Sequence, residues 1–463
     1  MVPALGESAC GSGNFQRRLL GQAGSPATTS AFRRMLQKGS PAAIDQHETR
    51  GDCVMPEAIQ GSSKKGNMTS GRAWAVVAVV FLAGFCMPAN MGKTMWLAPL
   101  VMESYGFGPD ILGWVNGVFY ILGALIAFPA ASFVRRIGVR SSVVIAMACA
   151  VVGNLIGLLS GTSVMVLMAS RIVEGAGFGL MGVIGVTAIT PWFPKGRRGL
   201  PLGVWGMWVA AANAITPMLD AAIAEATGSY LSVWQFLLVF DVIVLVLFLV
   251  IYRDPSEPYI DAAEKAGEVK FSYKELFSNK VVWVLAFVFF VEEGAFIASQ
   301  GFLSSYVTTS IDAPLMVGTA LVSAGAIWGA CFSPIAGKIS DAIGSRRKVL
   351  IFCMASAVLF GLLVFWVTDL RVYVLVIVLN GFTGGGVAAM LWASSSEVVP
   401  SHLISGATAA LACSQSTGMF LGSMFMGNVI NAVGYTMAGW CVLVPCFAIG
   451  LLAVIFGLRG KLK

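Results

Sequence analysis

From Ala73 onward the chain alternates between apolar runs of about 20 residues and short polar connections. Each run is long enough to cross ~30 Å of hydrocarbon as a helix. Twelve spans are predicted, at 73–97, 111–132, 141–160, 164–190, 202–222, 234–252, 281–306, 315–337, 349–367, 372–396, 403–429 and 435–457. Helix is the required assignment, because an open strand would leave backbone N–H and C=O groups unpaired in lipid. Residues 1–72 break the pattern. They are rich in Gly, Ser, Ala and Pro and hold no uninterrupted apolar run, so they do not read as a secretory signal peptide.

That segment reads as a disordered cytosolic tail. A second reading stays open: the codons of Lys64-Lys65-Gly66-Asn67 form a purine run just upstream of Met68, which suits bacterial ribosome binding and makes Met68 an alternative start. An organelle transit peptide is a third.

Composition narrows the class. Hydrophobic residues make up 57% of the chain and charged residues 11%, against roughly 25% charged in an ordinary soluble domain. A soluble enzyme is excluded. The nine cysteines are scattered without a CxxC spacing, and the two histidines are His47 and His402. No disulfide framework, metal site or cofactor is expected from such a set.

The net charge of +7 gains meaning once the charges are located. Twenty-one Lys/Arg fall at the N-terminal approach to span 1, in alternate loops and at the C-terminus, whereas the opposite loops carry Arg371 alone. By the positive-inside rule both termini are cytosolic, in a cell membrane and most simply a bacterial inner membrane. The same distribution accounts for the positive charge without a nucleic-acid partner.

The longest connection, 253–280, separates six spans from six. The expected organisation is a tail (1–72), a first lobe (73–252), a central loop (253–280), a second lobe (281–458) and a short cytosolic end (459–463). The halves repeat. Arg135-Arg136-Ile137-Gly138 answers Asp341-Ala342-Ile343-Gly344 at an offset of 206, Pro194 answers Pro400, and Gly175 and Gly177 answer Gly384 and Gly386 at 209. Parallel six-helix repeats imply a two-lobed transporter with its site between the lobes, and a monomer is expected.

Residues 337–347, Gly-Lys-Ile-Ser-Asp-Ala-Ile-Gly-Ser-Arg-Arg, lie between spans 8 and 9. They resemble the loop signature of the major facilitator superfamily, and the resemblance extends over about 73–458. It implies an all-α membrane protein of twelve transmembrane helices in two six-helix lobes. It also implies that Gly337, Asp341, Gly344, Arg346 and Arg347 form a cytosolic latch, in which carboxylate and guanidinium pair at helix ends. The first-half copy departs from the pattern. Ala131 stands where Gly is usual and Arg135 occupies the acidic position, so gating is expected to lean on Asp341.

Span 4 carries Arg171-Ile172-Val173-Glu174-Gly175-Ala176-Gly177-Phe178-Gly179, similar to the family's pattern of an intramembrane Arg followed by glycines. Gly175 and Gly179 form a GxxxG pair that permits close helix approach. Two look-alikes carry no weight. Gly177-x-Gly179-x-x-Gly182 matches a dinucleotide fingerprint without a preceding strand, and Gly92-Lys93-Thr94 echoes a phosphate loop with Met87 at the first glycine position.

Ionisable groups within the spans are the sharper signal, since a charge at a helix centre costs about 2.5–3.5 kcal/mol. They are Lys93, Arg171, Glu174, Asp241, Glu292 and Glu293. Lys93 lies about 30 Å along span 1 at 1.5 Å per residue. It either snorkels to the headgroups or holds solute beside Asn90, as the basic span-1 residue does in anion-transporting branches of the family. Arg171 either pairs structurally with Glu174 at i,i+3 or gates proton movement with it. Asp241, on a span that is peripheral in this family, reads as structural. Glu292 and Glu293 point about 100° apart near mid-membrane, so one faces the cavity. Glu293 shares a face with Phe296, Ile297 and Gln300, Glu292 shares one with Ala295, Phe296 and Ser299, and Glu293 is slightly favoured with nothing in these faces to decide it. Trp208, Asn213, Trp328, Asn380 and Gln415 could complete a polar-aromatic cavity, with ordinary helix packing the competing reading for each.

The expected function is secondary active transport of a small, anionic solute by alternating access. Lys93, Asn90, Arg171, Gln300, Asn380, Trp208 and Trp328 would line the solute site, and Glu292, Glu293 and Glu174 would serve proton coupling. The Trp192–Pro194 stretch, Arg198-Gly199 and Trp205-x-x-Trp208 are similar to cyanate- and nitrate-type permeases, although the Asn/Gly-rich signature of nitrate carriers on spans 5 and 11 is absent. Efflux of drugs or hydrophobic metabolites in exchange for protons is the first alternative, because acidic cavity residues favour cations. A non-transporting sensor with a transporter fold is the second.

Overall fold

A computed structural model describes residues 70–127, 129–194, 197–255, 273–400, 403–460 and 462. The expectations for the tail up to residue 69, most of the central loop, Lys195, Lys461 and Lys463 fall outside the described residues. So does the side chain of Ala131.

The described chain is helical, and its helices follow the hydrophobic runs. Span 1 is Ser70–Trp96, continued by Ala98–Tyr105, and span 2 is Pro109–Ile126, continued by Ala130–Ile137. Spans 3 and 4 are Val139–Leu158 and Val164–Ile189. Span 5 is built from Gly199–Gly206 and Trp208–Thr227, and span 6 is Leu231–Ile251. The second half repeats the series with Lys280–Ser310, Leu315–Ile343 and Arg346–Leu363 as spans 7 to 9. Span 10 runs from Tyr373 to Glu397 through a π-helical stretch at Phe382–Val387. Spans 11 and 12 lie in one continuous helical segment, Ile404–Gly457. Gly434 divides them, because its φ of 80° is a conformation an L side chain rarely adopts.

Ten segments are long and apolar enough to cross a membrane on length and composition alone. Dividing the last at Gly434 gives eleven. Span 9 is the twelfth; it begins on Arg346, Arg347 and Lys348, which dilute its apolar run. Span 1 is the most enclosed, with 72% of its central window buried, and span 7 follows at 67%, against 28% for span 6. Spans 1 and 7 therefore run through the middle of the bundle, and span 6 shows most of its apolar surface to the lipid.

Glycines set the closest approaches. A Cβ on Gly175 would lie 1.8 Å from the Phe119 carbonyl oxygen of span 2, and one on Gly177 would lie 2.5 Å from the Ala146 carbonyl oxygen of span 3. Of the glycines that mimic a dinucleotide fingerprint, Gly177 and Gly179 are thus helix-packing positions, and Gly182 faces open space. In the second half Gly294 of span 7 meets the backbone of Gly418, and Gly422 meets that of Gly294.

The halves touch unevenly. One apolar cluster draws Met95, Trp96 and Leu112 from the first half together with Phe302, Tyr306, Phe360 and Met426 from the second. It lies toward the end away from the basic loops. Toward the basic end, Val76, Val77, Val79 and Val80 with Met147, Ile184 and Trp192 form a cluster within the first half, and Leu285, Phe289, Leu350 and Leu391 form one within the second. The bundle is therefore sealed between its halves at the end remote from the basic loops.

Overpacking a tight helix contact costs about 1–3 kcal/mol, so Gly175→Ala is expected to lower the melting temperature of the purified protein clearly. Gly182→Ala is the control on the same helix, because a Cβ there meets nothing within 4 Å. Equal melting temperatures for the two variants would refute this account of span 4.

Candidate functional site

The first half encloses a polar cluster built from four spans. Lys93, Asn90, Asn154, Arg171, Glu174 and Asp241 are each no more than 1% exposed. Such groups are tolerated in an apolar interior when charge is matched and hydrogen bonds are made. Both conditions are largely met. Lys93 Nζ donates to Glu174 Oε1 at 2.6 Å, to Asn154 Oδ1 at 2.6 Å and to Asn90 Oδ1 at 3.1 Å. Arg171 donates to Glu174 Oε2 at 2.5 Å and to the span-1 carbonyl oxygens of Asn90 and Met91, both at 2.6 Å. Asp241 Oδ2 accepts from Asn90 Nδ2 at 2.8 Å and from Asn154 Nδ2 at 3.0 Å. The cations also rest on aromatic faces, Lys93 on Trp234 at 4.7 Å and Arg171 on Phe119 at 4.6 Å. Glu174 thus serves two cations at once, one on each oxygen.

The second half is built differently. Glu293, on span 7, is 8% exposed, and its Oε1 accepts from Gln415 Nε2 of span 11 at 2.8 Å. Glu292 beside it is 1% exposed and neither of its oxygens has a hydrogen-bond partner among the described residues. No Lys or Arg is ion-paired to either carboxylate among the described residues. Tyr120 of span 2 stands between the two systems: its buried hydroxyl has no partner, and it lies within electrostatic reach of both Arg171 and Glu293.

The remaining expected site residues scatter. Gln300 is nearly buried and reaches only Ser299 Oγ, at 3.5 Å. Trp208 stacks on Trp205 with centroids 5.2 Å apart and packs beside Phe178. Trp328 donates from Nε1 to the Val378 carbonyl oxygen at 3.1 Å, and the Asn380 amide lies against Gly325. These last two residues lock span 8 to span 10. Asn213 keeps a buried Oδ1 without a partner.

The loop signature is assembled at the basic end. Gly344 has a φ of 65° and ends span 8, with its N–H on the Asp341 carbonyl oxygen at 3.3 Å. The Asp341 carboxylate approaches Arg346 at 3.6 Å, while Arg346 binds Glu397 at the end of span 10 more closely, at 2.6 Å. Arg347 donates to the carbonyl oxygens of Val454 and Ile455 at 3.3 and 2.6 Å. Both lie in the π-helical stretch Ala453–Gly457, where the ordinary helical hydrogen-bond pattern is interrupted. Gly337 faces open space. In the first half Arg135 finds Ser132 and Arg140 finds the Leu249 carbonyl oxygen, both neutral acceptors.

Three polar residues of this interior escape a reading by hydrophobic runs. Asn154 is uncharged and so carries no obvious cost. Tyr120 is hidden among aromatic neighbours. Asp220 is fully buried on span 5 with both oxygens unpartnered, but it sits two residues from the predicted end of its run, where an acid reads as flanking.

Twelve spans in two halves, with ionisable groups at their centre and an ion-paired loop cluster on one side, define a helical membrane transporter fold. The sequence model of the Major Facilitator Superfamily matches residues 80–344 and 294–461. The chain belongs to that superfamily. It is 24% identical over 335 residues to the nitrite extrusion protein of Bacillus subtilis, covering 71% of this chain and 80% of that protein. It is 30% identical over 162 residues to an uncharacterized transporter of the superfamily from Mycobacterium tuberculosis, covering 35% of this chain and 27% of that protein. Among solved structures, a bacterial homolog of the human lysosomal transporter Spinster superposes with a TM-score of 0.63 at 15% identity, over 85% of this chain and 96% of that one.

Removing one member of a buried ion pair costs about 3–5 kcal/mol. Glu174→Gln, which strands two cations, is therefore expected to lower the melting temperature strongly. Adding Lys93→Met to it restores charge balance and should recover part of the loss. A double variant no more stable than Glu174→Gln alone would defeat the charge-balance account.

Proposed function

We propose that the protein is a secondary active transporter that moves a small anionic solute by alternating access and couples that movement to protons through Glu293. The observation that carries the coupling is the Glu293–Gln415 contact. It holds a carboxylate, without a paired cation, on a central span that packs at the shared face of the halves. An anion is repelled by ionised Glu293 and accepted once that group is protonated, so solute and proton enter together. The anionic solute is supported by the similarity to a nitrite extrusion protein and by Arg171, whose buried Nε is left without a partner.

Alternating access has a support in the packing. The apolar seal between the halves lies away from the basic loops, while the clusters near the basic loops belong to one half each. With the basic loops in the cytosol by the positive-inside rule, this conformation opens to the cytosol. The Arg346–Glu397 and Arg346–Asp341 pairs lie on that open side, where a latch would act.

One observation favours a cationic or neutral solute instead. Lys93 and Arg171 are fully buried and engaged by Glu174, which leaves Glu293 as the ionisable group least covered at the interface. Thermal-shift measurements on the purified protein with nitrite, nitrate and cyanate, beside quaternary ammonium ions, separate the two readings, since a ligand of the folded state raises the melting temperature. Stabilisation by the anions alone supports the proposal, and stabilisation by the cations alone overturns it.

The coupling has its own test. Wild-type anion stabilisation is expected to weaken as pH rises, because ionised Glu293 opposes the anion. Glu293→Gln should bind the same anion with no pH dependence, and an unchanged pH profile in that variant would remove Glu293 from the coupling. Lys93→Ala is expected to abolish anion uptake into proteoliposomes, and undiminished uptake would remove Lys93 from the site.

A further inference from the structure

The two halves answer the cations of their basic loops differently. Arg346 opens span 9 and is held by Asp341 and Glu397. At the offset of 206 that relates Pro194 to Pro400, its first-half counterpart is Arg140, in the first turn of span 3. Both acids are missing there: Arg135 stands for Asp341, and Pro191 stands for Glu397. Arg140 donates instead to the neutral carbonyl oxygen of Leu249 at 3.2 Å, and Arg135 to Ser132 Oγ at 3.1 Å.

More cations collect at the same place. Ala73, Val134, Val139 and Tyr252 pack in one apolar cluster at the basic end, and their chain neighbours Arg72, Arg135, Arg140 and Arg253 are all exposed, as is Arg136. Spans 1, 2, 3 and 6 thus each bring arginine to one rim. Among the described residues none of these five is in an ion pair. The one carboxylate at this rim among the described residues, Asp254, accepts from the Tyr252 hydroxyl at 3.2 Å. Five like charges on one rim repel one another and attract anions.

Depth decides which anion fits. Span 2 runs from Pro109 to Ile126, 18 residues or about 27 Å, close to the ~30 Å of hydrocarbon. The helix that continues it, Ala130–Ile137, therefore begins at headgroup level. It is amphipathic. Val134 turns into the bundle, Phe133 and Ile137 are exposed one turn apart on one flank, and Arg135 and Arg136 occupy the other side. Apolar side chains beside arginines at that depth suit acyl chains beside phosphates, whereas a soluble anion leaves Phe133 and Ile137 in water.

We propose that this rim binds the headgroups of anionic phospholipids, whose phosphates take the place that Asp341 and Glu397 hold in the second half. Arg135, Arg136 and Arg140 meet the phosphates, the Phe133–Ile137 flank lies among the acyl chains, and Arg72 and Arg253 extend the positive field. A bound headgroup ties together the ends of spans 2 and 3, as the ion pairs of Arg346 tie spans 8, 9 and 10. The inference does not depend on the identity of the solute or on proton coupling.

Native mass spectrometry on the full chain, titrated with phosphatidylglycerol beside phosphatidylcholine, reads the affinity for the first lipid bound. Wild-type protein is expected to prefer phosphatidylglycerol, and less so as salt rises. The triple variant Arg135→Gln/Arg136→Gln/Arg140→Gln should reduce that preference by about tenfold, because each cation near the headgroups adds to the attraction. Lysine at the same three positions should retain it, which separates lost charge from a folding defect. Lys274→Gln/Lys280→Gln/Lys338→Gln removes equal charge from the second half and should leave the preference within about twofold. A glutamine variant at the arginine rim as selective as wild type overturns the proposal, and so does an equal loss in the second-half control. Displacement of phosphatidylglycerol by glycerol 3-phosphate, beyond that caused by acetate at the same ionic strength, assigns the rim to a soluble anion and overturns the lipid.

Discussion

An ion in hydrocarbon has no water to solvate it, and the arrangement of this protein follows from how each buried charge is answered. Lys93 and Arg171 converge on the two oxygens of Glu174, and further donors go to amides and to span-1 carbonyl oxygens, with Arg171 Nε left without a partner among the described residues. Four spans are fixed relative to one another by that cluster, because moving any one of them exposes a charge. The glycines of span 4 make it possible: Gly175 and Gly177 bring spans 2 and 3 near enough for side chains of limited length to meet. Close packing and charge compensation are here one constraint.

The halves share a topology and divide the chemistry. The first half answers Lys93, Arg171 and Glu174 internally and leaves Asp220 without a hydrogen-bond partner among the described residues. The second half keeps Glu292 and Glu293 on a central span with a single amide, Gln415, as partner. The basic loops differ between the halves as well. Asp341, Arg346 and Glu397 come together in the second half, while Arg135 in the corresponding first-half position binds a serine.

Much of this architecture is legible in the chain. Apolar runs of sufficient length specify the spans, because lipid leaves helix as the one way to satisfy the backbone. Even the exceptions have a chain-level cause: span 9 opens on three basic residues, and Gly434 supplies the break between spans 11 and 12. The i,i+3 spacing of Arg171 and Glu174 places them on one helix face, and they meet there. Asp220 is a counterexample. Its position near the end of an apolar run gives it the look of a flanking residue, whereas span 5 continues to Thr227 and its packing buries Asp220 completely.

The sequence by itself determined how many times the chain crosses, where it turns, that its halves repeat, and which few ionisable groups lie within the crossings. Those are properties of local hydrophobicity and spacing. Only the tertiary structure decided which groups meet: Lys93 with Glu174 across 81 residues, Asn90 with Asp241 across 151, and Gln415 with Glu293 across 122. Periodicity gives the face of a helix but not the rotation and depth of its neighbour. A charge partner is fixed by both to within the length of a hydrogen bond.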